Sequence, residues 1–183
     1  MGGLRRTAAL AMVRRMTKIG LSIAALGALA MALQACSAPP EEAAAETVRS
    51  LLAAAQAGDA AAFEAFVDRP AIRMDLRKQL TPVARANKVL VDGGPSEAAL
   101  DRMIGPTAFR LVAAQTGARL ADAPSAAQAQ ALLKRVDGRR VCIHDATPRQ
   151  ACIATFAKEP PGWRLIGMLA GGVTVAVPPE PQK

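Results

Sequence analysis

The chain has no tyrosine, one tryptophan, four phenylalanines and a single histidine in 183 residues. Bases and sugars are held by stacking on flat rings, so this composition argues against a nucleic-acid or glycan reader. The one histidine, His144, precedes Asp145 in an alternating stretch. Neighbours in a strand point to opposite faces, so the two cannot form a simple dyad, and His144 reads as a plain strand-end residue. Cysteine is equally sparse. Cys36, Cys142 and Cys152 form no CxxC and have no histidine cluster about them, which excludes a zinc site of the usual spacing. Nothing converges as general acid, base and nucleophile must, so the sequence predicts no catalytic residue, no metal, no cofactor and no enzyme. The one long uncharged run, Ile19 to Leu33, has 15 residues. As a helix it would reach about 22 Å, short of a hydrocarbon core of about 30 Å.

What precedes and follows that run is informative. Arg5, Arg6, Arg14, Arg15 and Lys18 stand ahead of it with no acid, and Leu33-Gln34-Ala35-Cys36 closes it. A basic n-region, an apolar h-region and a small residue before a cut are the parts of a secretory signal. The segment resembles the signals of bacterial lipoproteins, with Leu33 at −3, Ala35 at −1 and Cys36 at +1; Gln34 at −2 is tolerated in them. The resemblance implies a diacylglycerol on the Cys36 thiol, cleavage before it and acylation of the new amine. Two or more chains anchor stably where one does not. Ser37 at +2 is not Asp, which by the same resemblance favours the outer over the inner membrane of a Gram-negative host. An ordinary signal peptide or a short uncleaved anchor is the alternative. Met12 and Met16 are alternative starts to Met1, and Arg14-Arg15 reads as part of a plain basic n-region rather than a twin-arginine signal.

Removing residues 1–35 changes the charge argument. The chain has 23 Lys and Arg against 15 Asp and Glu, a net charge of +8. Without the five leader bases the balance is 18 against 15, or +3. The basicity is largely that of the leader and is no signature of nucleic-acid binding. Residues 36–40 read as a tether, 41–170 as one α+β domain, and 171–183 as an edge strand with a Pro-rich tail.

Within the domain, Glu41 and Glu42 suit a helix N-terminus. Val48, Leu51, Leu52 and Ala55 then share a face, and Gly58 stops the helix. Asp59 caps a short second helix carrying Phe63, Phe66 and Val67. Pro70 opens a third, with Ile72, Leu76, Leu80 and Val83 at helical spacing. Pro82 is expected to end or kink it, because its ring blocks the bond to residue 78. Ala57-Gly58-Asp59, followed by Val67, Asp68, Pro70, Arg73, Leu76, Arg77, Gln79 and Leu80, resembles an uncharacterised proteobacterial family of small secreted or membrane-tethered proteins, over roughly residues 43–170. Arg69 stands where that family usually has Phe. The resemblance implies an envelope α+β domain and no established reaction.

Arg69, Arg73 and Arg77 lie four apart and line one helical face. Two readings stay open. One is a ridge for anionic headgroups, lipopolysaccharide phosphates or an acidic partner. The other is a solvated face partly neutralised by Asp68 and Asp75. Ser96 caps a further helix with Leu100, Met103 and Ile104 on its buried side. Pro106-Thr107 is expected to restart a helix through Phe109, Leu111 and Val112 to Gly117. Residues 118–130 read as a mobile linker into a last helix, Ala126 to Arg135.

The C-terminal third changes period. Arg139–Asp145, Arg149–Phe156 and Trp163–Met168 alternate and are bounded by turns, predicting an antiparallel meander with Trp163 as core anchor. A turn centred on Thr147 would set Val141 against Ile153, Ile143 against Ala151 and Cys142 against Cys152, within disulfide range. Two inert buried thiols are the alternative. Val173–Val177 is a further alternating stretch. The expected fold is α+β: four to six N-terminal helices on a small C-terminal three- to four-stranded antiparallel meander, which looks somewhat like the cone-shaped NTF2-like fold. The expected function is a non-catalytic, lipid-anchored envelope accessory protein. It would face the periplasm, meet the membrane through Cys36 and an unidentified envelope protein as partner, and bind no nucleic acid. The alternative is a small-ligand or lipid-binding module with an apolar pocket between helices and sheet, of about 300 Å³ or more.

Overall fold

A computed structural model describes residues 38–88 and 94–181. The leader, with the lipobox and Cys36, lies outside the described residues, as do 89–93 and 182–183.

Helix α1, Pro40–Ala57, opens on Pro40 with Glu41 and Glu42 in its first turn. It buries Ala44, Ala45, Val48, Leu51, Leu52 and Ala55, the stripe its spacing predicts. It ends in a Schellman motif. Gly58 takes a left-handed φ of 68° and donates to Ala55 O, and Asp59 N–H donates to Ala54 O at 2.9 Å. Asp59 then caps α2, Ala60–Glu64, by accepting from Ala62 N–H at 3.0 Å. Phe63 of α2 is fully buried and meets Phe109 edge to face, with ring centroids 5.7 Å apart. Asp68 caps α3, Arg69–Ala86, in the same way through Ala71 N–H at 3.0 Å.

Pro82 does not end α3, which runs on through it to Ala86. Lys78, whose carbonyl loses the Pro82 donor, is exposed, as is Pro82 itself. A missing bond on the wet side of a helix costs less than one in its buried face. Val83 is correspondingly 55% exposed, whereas Ile72 and Leu76 are fully buried.

Helix α4, Glu97–Met103, begins at a Ser96 cap and buries Leu100. The expected continuation from Pro106 is not a helix. Pro106–Ala108 make one 3-10 turn, and Phe109–Ala113 is strand β1. β1 pairs in parallel with β6, Val173–Val177, Phe109 standing opposite Val173 and Ala113 opposite Val177. The parallel partner lies some sixty residues away, so nothing local to Phe109–Ala113 announces it. β6 is therefore no edge of the meander: Val173, Val175 and Val177 are 2%, 0% and 2% exposed.

The stretch from Ala114 to α5 is tied down rather than a free linker. Ala113 N–H donates to Ala118 O, Leu120 N–H to Leu111 O, and the Gln56 side chain to Leu120 O at 2.6 Å. Helix α5, Ala126–Ala131, starts in a Ser125/Gln128 capping box and stops short of Arg135. Leu133–Arg135 is strand β2, paired with β3.

β2, β3 (Arg140–His144), β4 (Cys152–Glu159) and β5 (Gly162–Met168) form an antiparallel sheet in that order. The β3–β4 register differs from the expected one: Val141 faces Phe156, Cys142 faces Thr155 and Ile143 faces Ala154. The connection is not a tight turn on Thr147. The Asp145 carboxylate accepts from Thr147 N–H, Thr147 Oγ1 and Ala151 N–H at 3.3, 2.8 and 3.0 Å, and holds a wider loop. The resulting register places Val141, Ile143, Ala154 and Phe156 together in the core. Trp163, 7% exposed, belongs to that core as expected. The α2–α3 junction extends the sheet beyond β5: Leu165 N–H donates to Phe66 O and Asp68 N–H to Leu165 O, at 2.8 and 2.9 Å. The whole is mixed helix and sheet, with the described helices preceding the four-stranded antiparallel sheet.

Candidate functional site

The three arginines of α3 share a face, but two are engaged with carboxylates. Arg69 pairs with Glu64, through Nε at 2.7 Å and a second contact from Nη2, and reaches Asp101 Oδ1 at 3.2 Å. Its guanidinium also donates to the carbonyls of Ile104 and Asp101 at 3.2 and 3.5 Å, at the negative end of α4. Arg73 grips Asp101 with two parallel bonds of 2.7 and 2.6 Å and lies 3.7 Å from Glu97. The Arg73 hydrogen bonds, then its charge and that of Arg69, hold the Asp101 carboxyl below its ordinary pKa, and Asp101 holds Arg73 above its own. Arg77 differs: its Nε is buried without a partner among the described residues.

The expected neutralisers, Asp68 and Asp75, do other work. Asp68 is the helix cap. Asp75 Oδ2 accepts from Met168 N–H at 3.1 Å and from Gln79 Nε2 at 2.9 Å. Gln79 in turn donates to Met168 O at 2.8 Å and accepts from Ala170 N–H at 3.0 Å. One turn of α3 thereby satisfies three backbone groups at the end of β5, where the strand leaves its sheet. The V-D-x-P-x-x-R-x-x-L-R-x-Q-L segment holds this domain together: Val67 and Asp68 extend the sheet, Leu76 fills the core and Gln79 clamps the strand end. Sequence reasoning missed Asp101, because an acid in SEAALDRM carries no local mark of two arginines from another helix.

Cys142 and Cys152 lie at disulfide distance, Sγ–Sγ 2.11 Å and Cα–Cα 5.5 Å, without being directly opposed. The register steps between Ile143 and His144, so that His144 faces Cys152 while Ile143 faces Ala154. The extra residue, Ile153, returns Cys152 to the face shared by His144 and Cys142. Cys142 is fully buried and Cys152 exposed. His144 Nδ1 lies 2.9 Å from Asp145 O. Among the described residues no group of three His, Cys, Asp or Glu is placed to hold a metal ion.

Two open clefts lie on the surface of the described residues. One, of about 450 Å³, lies at the β2–β3 hairpin among Asp137, Arg139, Arg140, Lys158 and Glu159, with both signs of charge. The other, of about 360 Å³, lies between the end of α4, the 3-10 turn and the start of β6, and is lined by Arg102, Thr107, Arg110 and Thr174 with the Gly171–Gly172 turn.

Fold and surface define a small α+β domain with an arginine-clamped helical part and a disulfide-distance cysteine pair in its sheet. The chain belongs to a protein family of unknown function, DUF2939, whose match spans residues 28–131. That span runs from the end of the apolar run through α5 and stops before the four-stranded sheet, beginning earlier and ending sooner than the resemblance read from the sequence. No curated protein and no solved structure matches the chain.

Proposed function

We propose that this protein is a lipid-anchored, non-catalytic accessory of a bacterial cell envelope. The observation that carries the reading is Leu33-Gln34-Ala35-Cys36 at the end of a charge-free run behind a basic leader, three residues before Pro39. A further feature supports it: the disulfide-distance pair Cys142–Cys152 suits an oxidising compartment. On this reading Cys36 carries the lipid, residues 36–40, the last of which also opens α1, tether the domain close to the bilayer, and an envelope protein is the partner, in the outer membrane by virtue of Ser37. Helices packed against an antiparallel sheet, α1 against β2, β3 and β5 and α3 against β5, are also what an NTF2-like arrangement would present, and we read the layout as that in outline.

The test is the intact mass of protein extracted from membranes, with and without alkylation under non-reducing conditions. A chain beginning at Cys36 with acyl mass and no alkyl adduct is expected. A chain retaining its leader, or one beginning at Cys36 without acyl mass, overturns the anchor. Alkylation of Cys142 and Cys152 overturns the pairing.

A further inference from the structure

Arg69 and Arg73 are engaged by Glu64 and Asp101, which leaves Arg77 as the one member of the α3 arginine triplet outside an ion pair among the described residues. The cleft between the 3-10 turn and β6 has the opposite character. Arg102 comes from the last turn of α4 and Arg110 from β1, and neither takes part in an ion pair among the described residues. No carboxylate is among the described residues lining the cleft. Arg110 stands opposite Thr174 in the parallel pair, and both are exposed on its outer face. Thr107 adds a second hydroxyl from the 3-10 turn. The polar lining side chains are therefore two guanidinium groups and two hydroxyls, all of them hydrogen-bond donors.

Two features of the backbone keep this arrangement open. Gly172 has a φ of 88°, and a Cβ there would stand 3.2 Å from Ala108 O, so the turn before β6 approaches the 3-10 turn more closely than a side chain comfortably permits. The carbonyl end of α4 beside Arg102 is already satisfied by Arg69, so Arg102 is not required there. We propose that the cleft binds a phosphate-type oxyanion. The planar guanidinium fork matches phosphate oxygens in pairs, and the open mouth admits either a free phosphate species or the phosphodiester of a lipid headgroup. The proposal does not depend on the lipid anchor.

The test uses the full chain in a neutral detergent, titrated at constant ionic strength so that screening does not vary. Nitrogen–proton spectra of the arginine Nε groups report on Arg102 and Arg110 individually. One arm adds inorganic phosphate and the other monomeric dihexanoyl phosphatidylglycerol. Saturable shifts are expected at both arginines and at the backbone amides of Thr107 and Thr174, which line the same cleft; followed at those two amides, binding should weaken by about tenfold or more in the Arg102→Gln/Arg110→Gln double variant. Arg119→Gln/Arg149→Gln removes the same charge elsewhere and should change affinity less than about twofold. Saturation by phosphate alone supports a free phosphate species. Tighter saturation by the lipid, displaced by phosphate, supports a headgroup. Shifts that stay linear in both arms, or equal weakening by the two double variants, overturn the proposal.

Discussion

Replacing Gly167 by alanine tests whether the α3–β5 clamp contributes to stability as its geometry implies. A Cβ at Gly167 would stand 2.9 Å from Asp75 Oδ2 and 3.2 Å from its Cγ, closer than van der Waals contact allows. Asp75 cannot yield cheaply, because the same Oδ2 accepts from Met168 N–H at 3.1 Å and from Gln79 Nε2 at 2.9 Å. Hydrogen bonds to a charged group contribute about 1.5–3 kcal/mol. Against that, alanine in place of glycine restricts the unfolded chain and stabilises by about 0.4–1 kcal/mol where it fits. The net expectation for Gly167→Ala is a loss of about 1–2 kcal/mol, seen as a lower urea midpoint at unchanged slope. The cycle with Asp75→Ala is sharper. With the carboxylate gone the obstacle is gone, and the same Gly167→Ala change should now stabilise by about 0.4–1 kcal/mol. The sign of the effect reverses with the state of residue 75. If Gly167→Ala is harmless beside Asp75, or equally harmful in the Asp75→Ala background, the contact is not what requires glycine there and the reasoning fails.

Other expectations follow from the same contacts. Asp101 is held below its ordinary pKa by Arg73 and Arg69, so its contribution is present above the unfolded value of about 3.9 and is lost as pH falls through the lower folded value. Urea midpoints measured from pH 6 down to pH 2 should fall less steeply below about pH 4 in Asp101→Asn than in the wild type. Reducing the Cys142–Cys152 pair, ten residues apart in sequence, should cost about 2–3 kcal/mol of closure entropy, measured as the difference in denaturation midpoint with and without a reductant. Phe156→Ala empties a fully buried position opposite Val141 and should destabilise by about 3–5 kcal/mol in the same assay.

The parts of the fold legible in the sequence are those whose partners are close along the chain. Gly58, Asp59 and Ser96 each end or start a helix as read, because each satisfies an amide or carbonyl within a few residues. The meander was legible for the same reason: alternation, β-branching and turn residues all lie within each hairpin. Two segments read as helix became strand. Phe109–Ala113 carries apolar residues at spacings that fit either period, and Leu133–Arg135 has a single apolar residue and so no period of its own; the competition was decided by β6 and β3. The cysteine pair was expected, but through a directly opposed register. The loop organised by Asp145 and the offset at Ile153 bring the two sulfurs together by another route. The α3 arginines were visible as a ridge; their carboxylate partners Asp101 and Glu97 were not, because they sit on another helix, Asp101 being 28 residues from Arg73 along the chain.

By itself the sequence determined where α1 ends, where α2 and α4 begin, the buried stripe of α1, the change of period before the sheet and the expectation of a secreted, lipid-bearing chain. Each rests on forces that act within one or two turns of chain: capping, backbone preference and apolar spacing. Only the tertiary structure decided which strand β6 pairs with, where β3 registers on β4, and why residue 167 is glycine. It also decided which arginines are engaged and which face an open cleft. Those outcomes belong to contacts between residues tens of positions apart. Burial and hydrogen-bond satisfaction of both partners together set their energies, and neither partner carries that information alone.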